Sequence, residues 1–141
     1  MADPRVQNML RAAQIHNPEL NLSAERYSGN GQFIHNLHVV LENADRLVDV
    51  RPQHISKLGM GIMRICRKRG HLLSRAGIVG NHLHILLGCH VTDAPSSVAL
   101  SLLNNLAWLT DKVPIFDYGA YLGTFGSYDR WAIRLHKSGD G

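Results

Sequence analysis

The spacing of hydrophobic positions predicts a strand, a helix, two strands and a second helix, in that order. Apolar and polar residues alternate over 32–42, which is typical of a strand. Over 52–69 apolar residues recur every three or four positions, which predicts a helix, and the next glycine ends it. Strands are predicted over 71–79 and 82–90, and the Gly-Asn pair between them joins them as a hairpin. A leucine-rich stripe predicts a second helix, which starts at a capping residue near 93–96 and ends near 111.

This order predicts an α+β fold. If the turn-rich, aromatic segment 113–126 supplies a fourth strand, the order becomes β-α-β-β-α-β, the split pattern of a ferredoxin-like sandwich. In that fold two helices cover one face of an antiparallel sheet and leave the other face open for a partner. Residues 1–30 are predicted to be an N-terminal extension with a short helix and a loop over 27–31, and residues 31–141 the domain. A last short helix is predicted from about residue 127.

Length and composition limit the class of protein. A chain of 141 residues with 45% hydrophobic residues is about one globular domain and is not intrinsically disordered. It has no apolar run long enough to span a membrane and no secretory h-region at its N-terminus. Two cysteines, Cys66 and Cys89, lie in apolar stretches. We therefore expect buried thiols in a reducing, cytoplasmic compartment.

Positive charge is concentrated in one segment. Between Arg46 and Arg75 there are eight basic residues and one acid, Asp49. Such a stripe suggests a partner that carries phosphates, although a solvated helix face gives the same pattern. The candidates for DNA binding lie at the end of the first predicted helix: Arg64, Arg67, Lys68 and Arg69.

The strongest local motif is Gly-Asn-His-Leu-His-Ile-Leu-Leu-Gly, residues 80–88. Alternate residues of a strand point the same way, so His82 and His84 share one face while Leu83 and Ile85 enter the core. Two imidazoles about 7 Å apart along a strand can converge on one divalent ion. Two hydrogen-bonded histidines on an alternating strand remain the alternative interpretation.

This motif resembles the His-hydrophobe-His signature of the single-tyrosine HUH transposases, which include small insertion-sequence and REP-associated tyrosine transposases. The segment SSVALSLLNNLAWL stands where that family has the helix after the motif. Residues 121–126, with Ile133 and Arg134 after them, resemble the segment that leads into the family's tyrosine helix. The resemblance covers about residues 31–136.

The resemblance implies a ferredoxin-like fold and a role in DNA transposition. The family cleaves and rejoins single-stranded DNA at the foot of a hairpin, through a tyrosine that becomes linked to a 5′-phosphate. By this resemblance His82 and His84 hold Mg²⁺ or Mn²⁺, which polarises and orients the scissile phosphate. A homodimer is expected from the insertion-sequence members. The nearly uncharged, leucine-rich helix with Trp108 points the same way.

The sequence departs from the family at the nucleophile. Anchored on Ile133 and Arg134, the position of the family's tyrosine holds His136. Tyr128 is the nearest alternative, about two helical turns earlier, whereas Tyr121, in the turn-rich segment, is interpreted as a packing residue. Asp140 occupies the place of the family's third metal ligand.

Three interpretations follow from this departure. The chain is a working transposase-type nuclease, a catalytically inactive HUH-fold module that binds DNA, or a ferredoxin-like metal or ligand sensor. The basic segment argues against the sensor, and the displaced tyrosine favours the inactive module. We therefore expect binding to hairpin DNA with little formation of a covalent adduct.

Overall fold

A computed structural model describes residues 14–22, 24–28, 31–47, 52–109, 116 and 119–125. Seven strands and two helices lie within these ranges: β1 (Ile15–His16), β2 (Arg26–Ser28), β3 (Gly31–Phe33), β4 (Asn36–Glu42), α1 (Pro52–Arg69), β5 (Leu72–Val79), β6 (His82–Gly88), α2 (Pro95–Leu109) and β7 (Gly119–Phe125). No helix of this part of the chain is both long and apolar enough to cross a membrane.

The main sheet has five strands in the order β1-β5-β6-β4-β7, and all neighbours pair antiparallel. Four of these strands and the two helices follow the chain order β4-α1-β5-β6-α2-β7, so each helix connects two strands that have a third strand between them. This is the split β-α-β arrangement of a ferredoxin-like fold. The predicted α+β class, with an antiparallel sheet and two helices, is confirmed.

The hydrophobic core lies between the helices and one face of the sheet. Leu83, Ile85 and Leu87 of β6 are fully buried there, as their alternation predicts. Burying each such side chain stabilises the fold by about 1.5–3 kcal/mol relative to exposing it. The opposing residues on the helices include Ile55, Leu58, Ile62, Val98, Leu102 and Leu106.

We call the other side of the sheet the open face. Directly paired residues of neighbouring strands point to the same side, so the register assigns its members. They are Asn36, His38, Val40 and Glu42 of β4, Arg75, Gly77 and Val79 of β5, His82, His84 and Leu86 of β6, and Gly119, Tyr121 and Gly123 of β7.

Helix α1 ends at the predicted glycine. Gly70 has a φ of 75°, a conformation that side chains disfavour. The amide of His71 donates to the carbonyl of Cys66 at 2.8 Å, and the amide of Gly70 donates to that of Arg67 at 3.4 Å. These two bonds form a Schellman motif, which satisfies carbonyls at the end of the helix.

The structure differs from the sequence prediction before β4. The loop predicted over 27–31 is instead part of a hairpin, in which Tyr27 pairs with Gln32 and Ser28 with Gly31. The strand predicted over 32–42 is divided into β3 and β4. Between the two strands, the guanidinium of Arg26 donates to the carbonyl of His35 at 3.1 Å.

The structure also adds a strand to the sheet from each of the two predicted peripheral segments. The turn-rich segment supplies the fourth strand of the domain as β7. Within the predicted N-terminal extension, β1 joins the sheet by pairing Ile15 with Ala76 and His16 with Arg75. The N-terminal helix and the helix from residue 127 fall outside the described residues, and the division at residue 30 stays a prediction.

Candidate metal centre and nucleic-acid interface

The turn between β5 and β6 fixes the start of the histidine strand. Gly80 has a φ of 60°, which suits a tight hairpin turn. The Asn81 side chain donates to the Asn43 carbonyl at 2.7 Å, and the Asn43 amide donates to the Asn81 carbonyl at 3.0 Å. The amide of Leu47 also donates to the carbonyl of Gly80 at 3.3 Å. The turn is therefore tied to the segment that follows β4.

His82 forms a buried polar pair with Glu42. Its Nε2 donates to Glu42 Oε1 at 2.8 Å, and the two residues lie directly opposite each other on β6 and β4. His82 is 7% exposed and Glu42 is 5% exposed. A charge-assisted bond away from water is stronger than the same bond at the surface. The pair therefore fixes both side chains on the open face.

His84 contacts a second histidine, His38 of β4. The Nδ1 atom of His84 lies 3.2 Å from Nε2 of His38, and one of these nitrogens donates to the other. The two rings stack, with centroids 5.4 Å apart and planes 27° from parallel. This contact orients the His84 ring through one of its nitrogens, as the partners of metal-bound histidines commonly do.

His82 and His84 have a geometry compatible with one shared ion. Their ring centroids are 5.8 Å apart. An imidazole centroid lies about 3.2 Å from an ion that its nitrogen binds, so two rings on one ion have centroids at most about 6.5 Å apart. Glu42 lies beside His82 as its hydrogen-bond partner. A pair of imidazoles suits Mn²⁺ and related divalent ions.

Tyr121 lies on the same face, on strand β7. It pairs with Val40, which pairs with His84 on its other side, so the three residues form one row across the sheet. A Cβ atom placed on Gly119 would lie 3.7 Å from Glu42 Oε2 and 3.9 Å from Tyr121 Oη. The hydroxyl and the carboxylate therefore both lie over that glycine.

A cleft of about 600 Å³ runs along the open face beside the histidines. His38 and His84 line one part of it, and Arg75 and His16 line another. Arg75 Nη2 donates to His16 Nε2 at 3.0 Å. Gly77, which pairs with His84, has no side chain to fill the space beside the His84 ring.

The basic residues of α1 lie away from this cleft. Arg64, Arg67, Lys68 and Arg69 are exposed, as predicted for the outer surface of the helix. Because α1 packs on the core side of the sheet, these four side chains and the histidines are on opposite sides of it. A nucleic acid that contacts both must pass around an edge of the sheet.

The structure brings together some predicted site residues and leaves others untested. His82 and His84 share the face opposite Leu83 and Ile85, as the alternation predicts. The predicted nucleophile positions Tyr128 and His136, and the predicted third ligand Asp140, lie outside the described residues.

Three polar residues of the open face were not among the sequence candidates. His38 and Glu42 alternate within β4, and that spacing alone indicates that they share a face. Tyr121 alternates in the same way within β7, but its segment was interpreted as turn-rich. Their closeness to His82 and His84 depends on the register between strands, which the sequence pattern does not give.

Solved structures that are similar to this chain include two transposases. One is a candidate transposase from Deinococcus radiodurans R1, with a TM-score of 0.60 and 16% identity, covering 81% of this chain and 97% of that one. The other is a REP-associated tyrosine transposase bound to a REP hairpin, with a TM-score of 0.51 and 14% identity, covering 80% of this chain and 66% of that one.

No protein-family model and no curated protein matches the sequence. At these identities the structural likeness shows the fold. The chain has the fold of these two transposase structures, and the resemblance stated from its sequence motifs is confirmed at the level of the fold.

Proposed function

We propose that this protein is a transposase-like protein that binds single-stranded or hairpin DNA and uses a divalent metal on its open face for cleavage and rejoining of a DNA strand. The observation that carries the proposal is that His82 and His84 lie beside each other, with Glu42 bonded to His82, on the open face of a sheet with the fold of a transposase structure. One neighbour of this fold is bound to a hairpin DNA, which supports the choice of ligand.

The metal would be held by His82 and His84, with Glu42 as a third ligand or as the residue that orients His82. Mg²⁺ or Mn²⁺ bound there would act as a Lewis acid on a phosphate oxygen. The chain's own contribution is to orient the imidazoles, through the 2.8 Å bond to Glu42 and the 3.2 Å contact with His38. Burial of His82 and His84 at 7% exposure excludes bulk water from their nitrogens.

The DNA strand would lie along the cleft of the open face. Arg75 lines this cleft and supplies a guanidinium that can contact a phosphate. The exposed basic residues at the end of α1 would bind a second part of the same nucleic acid around the edge of the sheet. Most of the resulting affinity would be electrostatic and therefore sensitive to salt.

A second candidate function is a module that binds hairpin DNA without cutting it. The observation that favours it is His136 at the position where the family has its tyrosine. A nucleophile must come within about 3–3.5 Å of the phosphorus, and a displacement of two helical turns is too large for side-chain rotation to correct. Tyr121 lies on the open face, and its hydroxyl and the Glu42 carboxylate are both close to Gly119. It is therefore a candidate nucleophile beside Tyr128.

Labelled hairpin oligonucleotides incubated with the protein and Mn²⁺ test both functions. Both functions predict a salt-sensitive shift in a native gel, and only the cleaving function predicts a covalent adduct in a denaturing gel. An adduct lost in Tyr128→Phe or in Tyr121→Phe and kept in His136→Ala would establish the nuclease and identify its nucleophile. Absence of a shift at low salt would contradict both functions.

Calorimetry tests the metal site independently of DNA. His82→Ala/His84→Ala should abolish Mn²⁺ binding, because both imidazoles are lost while Leu83 and Ile85 of the core remain. The matched control is His90→Ala, since His90 is exposed and lies beyond the end of β6. If the double variant binds Mn²⁺ as well as the parent, the site assignment is wrong.

A further inference from the structure

A second group of potential metal ligands lies at the opposite end of the β5–β6 hairpin. His71 directly precedes β5, Cys89 directly follows β6, and Asp93 lies in the turn before α2. One ligand atom of each residue lies within 4.8 Å of the others. Cys89 is five residues beyond His84, or about 16 Å along an extended strand. This cluster is therefore separate from the histidines of the proposed DNA site.

His71 is the residue that indicates a ligand. Its side chain is 4% exposed, and its Nδ1 lies 3.7 Å from Asp93 Oδ2. Among the described residues no atom is placed to form a hydrogen bond with this nitrogen. Leaving a buried polar atom without a partner costs about 1–3 kcal/mol. A cation between His71 and Asp93 would remove that cost.

The surrounding backbone holds the three residues in place. The carbonyl of Asp93 accepts a bond from Nε2 of His35 at 2.8 Å, and its Oδ2 accepts one from the His90 amide at 2.9 Å. The amide of Cys89 donates to the carbonyl of His35 at 2.8 Å. His71 follows directly on the Schellman motif of α1. The cluster therefore needs little rearrangement to bind an ion.

We propose that His71, Cys89 and Asp93 form a zinc site. One imidazole nitrogen, one sulfur and one carboxylate oxygen make a donor set that suits Zn²⁺ and is too soft for Mg²⁺ or Ca²⁺. A nitrogen and an oxygen on one tetrahedral zinc lie about 3.4 Å apart, so the 3.7 Å between His71 Nδ1 and Asp93 Oδ2 needs only a small closure. A small movement of the Cys89 side chain would bring its sulfur to the ion. Water would supply the fourth ligand from the side of Asp93, whose side chain is 32% exposed.

Zinc binds cysteine as the thiolate, so binding at this site releases the proton of the Cys89 thiol, as at other zinc-thiolate sites.

The site would act as a structural clamp. It joins the residue after α1 to the connection between β6 and α2, which follows only after the whole β5–β6 hairpin. Arg67, Lys68 and Arg69 form the last turn of α1, immediately before His71. Zinc would thus fix the position of the basic residues, without contact with the open face.

Cobalt titration of the metal-free protein tests the proposal, because Co²⁺ substitutes for Zn²⁺ and reports thiolate ligation by a charge-transfer absorption band. We expect this band with the intensity of one thiolate, together with the d–d bands of four-coordinate cobalt. Cys89→Ser should abolish the charge-transfer band. Asp93→Asn should lower the affinity at least about tenfold while leaving the fold intact, because the amide keeps an oxygen that can accept from His90.

Two controls separate the possible results. Cys66→Ser is the matched control, since Cys66 is buried nearby but lies outside the three-residue cluster; it should keep the band. His82→Ala/His84→Ala should also keep it, so failure of the proposed DNA function does not affect this test. Absence of the band in folded parent protein, or its loss in Cys66→Ser, overturns the assignment.

A stability measurement covers the case in which a cysteine variant does not fold. Zinc should raise the unfolding temperature of the parent, and chelator should reverse the rise, because a ligand that binds only the folded state stabilises it. Asp93→Asn should show a smaller rise at the same zinc concentration. An unfolding temperature of the parent that does not respond to zinc would overturn the proposal.

Discussion

Glu42 is the residue whose chemistry most affects the proposed metal site. It lies opposite His82 in the register, is 5% exposed and accepts the Nε2 proton at 2.8 Å. A carboxylate in that position either ligates the ion or fixes the ring that does. In both roles it increases metal affinity, while the amide of a glutamine keeps the shape and loses the charge.

We expect Glu42→Gln to lower Mn²⁺ affinity by at least about tenfold, the size of a typical loss when a partner of a metal ligand is removed. Calorimetry measures it. Glu25→Gln is the matched control, because Glu25 is exposed and the same charge is removed without contact with the histidines. Equal affinity of Glu42→Gln and the parent would show that Glu42 has only a structural role.

At the scale of elements, the β5–β6 hairpin is closed at one end by the turn at Gly80. Two glycines of this region have φ values near +60° to +75°: Gly70 after α1 and Gly80 in the turn. Any L side chain at such a φ is strained, by about 1–2 kcal/mol. The two glycines differ in their neighbours, because only Gly80 lies next to strand β6, which carries His82 and His84.

Gly80→Ala and Gly70→Ala should each lower the free energy of unfolding by about 1–2 kcal/mol, measured by urea denaturation. Gly123→Ala is the control, since a Cβ there meets no atom within 4 Å and its φ is not in the left-handed region. It should leave stability unchanged or slightly raised. Of the two variants, only Gly80→Ala should also weaken Mn²⁺ binding. If Gly70→Ala and Gly80→Ala bind Mn²⁺ with equal affinity, the turn does not position His82.

At the scale of the whole molecule, basic groups occupy both sides of the sheet. Four lie at the end of α1, and Arg75 lies in the cleft of the open face. Each phosphate contact contributes about −0.7 to the slope of log affinity against log salt for single-stranded DNA. The salt slopes of variants that lack the basic residues of one side of the sheet therefore give the number of phosphate contacts on that side.

We expect hairpin DNA to bind with a salt slope of roughly −2 to −4, from three to five phosphate contacts. Replacing Arg64, Arg67, Lys68 and Arg69 by Gln should remove most of this slope, and Arg75→Gln should reduce it by about 0.7. Fluorescence anisotropy over a range of salt concentrations gives the slopes. Affinity that does not change with salt would contradict electrostatic DNA binding.

Helix α2 presents apolar surface away from the core. Leu100 is 57% exposed and Trp108 is 68% exposed, and no residue of α2 is charged. Exposed aromatic and aliphatic side chains of this kind are typical of protein interfaces. A homodimer through this helix is the arrangement that we propose.

Light scattering at micromolar protein should give about twice the chain mass of 15.7 kDa. Trp108→Glu should shift the protein towards the monomer. Met60→Glu is the control, because Met60 is 67% exposed on α1 and the same charge is added away from α2. A parent mass near 15.7 kDa would refute the dimer.

The sequence pattern predicts α1, β5, β6 and α2 and their faces, but it does not predict β1 or the β2–β3 hairpin. Spacings of three and four fixed α1 up to Gly70, and alternation in 82–88 assigned His82 and His84 to one face and Leu83 and Ile85 to the core. These assignments succeed because helix and strand periodicity are local properties of the backbone. The order of the elements then restricted the topology to the split β-α-β pattern.

Which side chains contact one another depends on the tertiary structure. Glu42 contacts His82, which lies 40 residues later in the sequence. His71 lies near Cys89 and Asp93 because the start of β5 is paired with the end of β6. The placement of the α1 basic residues on the side away from the histidines was likewise set by packing. A one-residue change in register would reverse every face of a strand, so these contacts depend on pairing between strands, which no local pattern encodes.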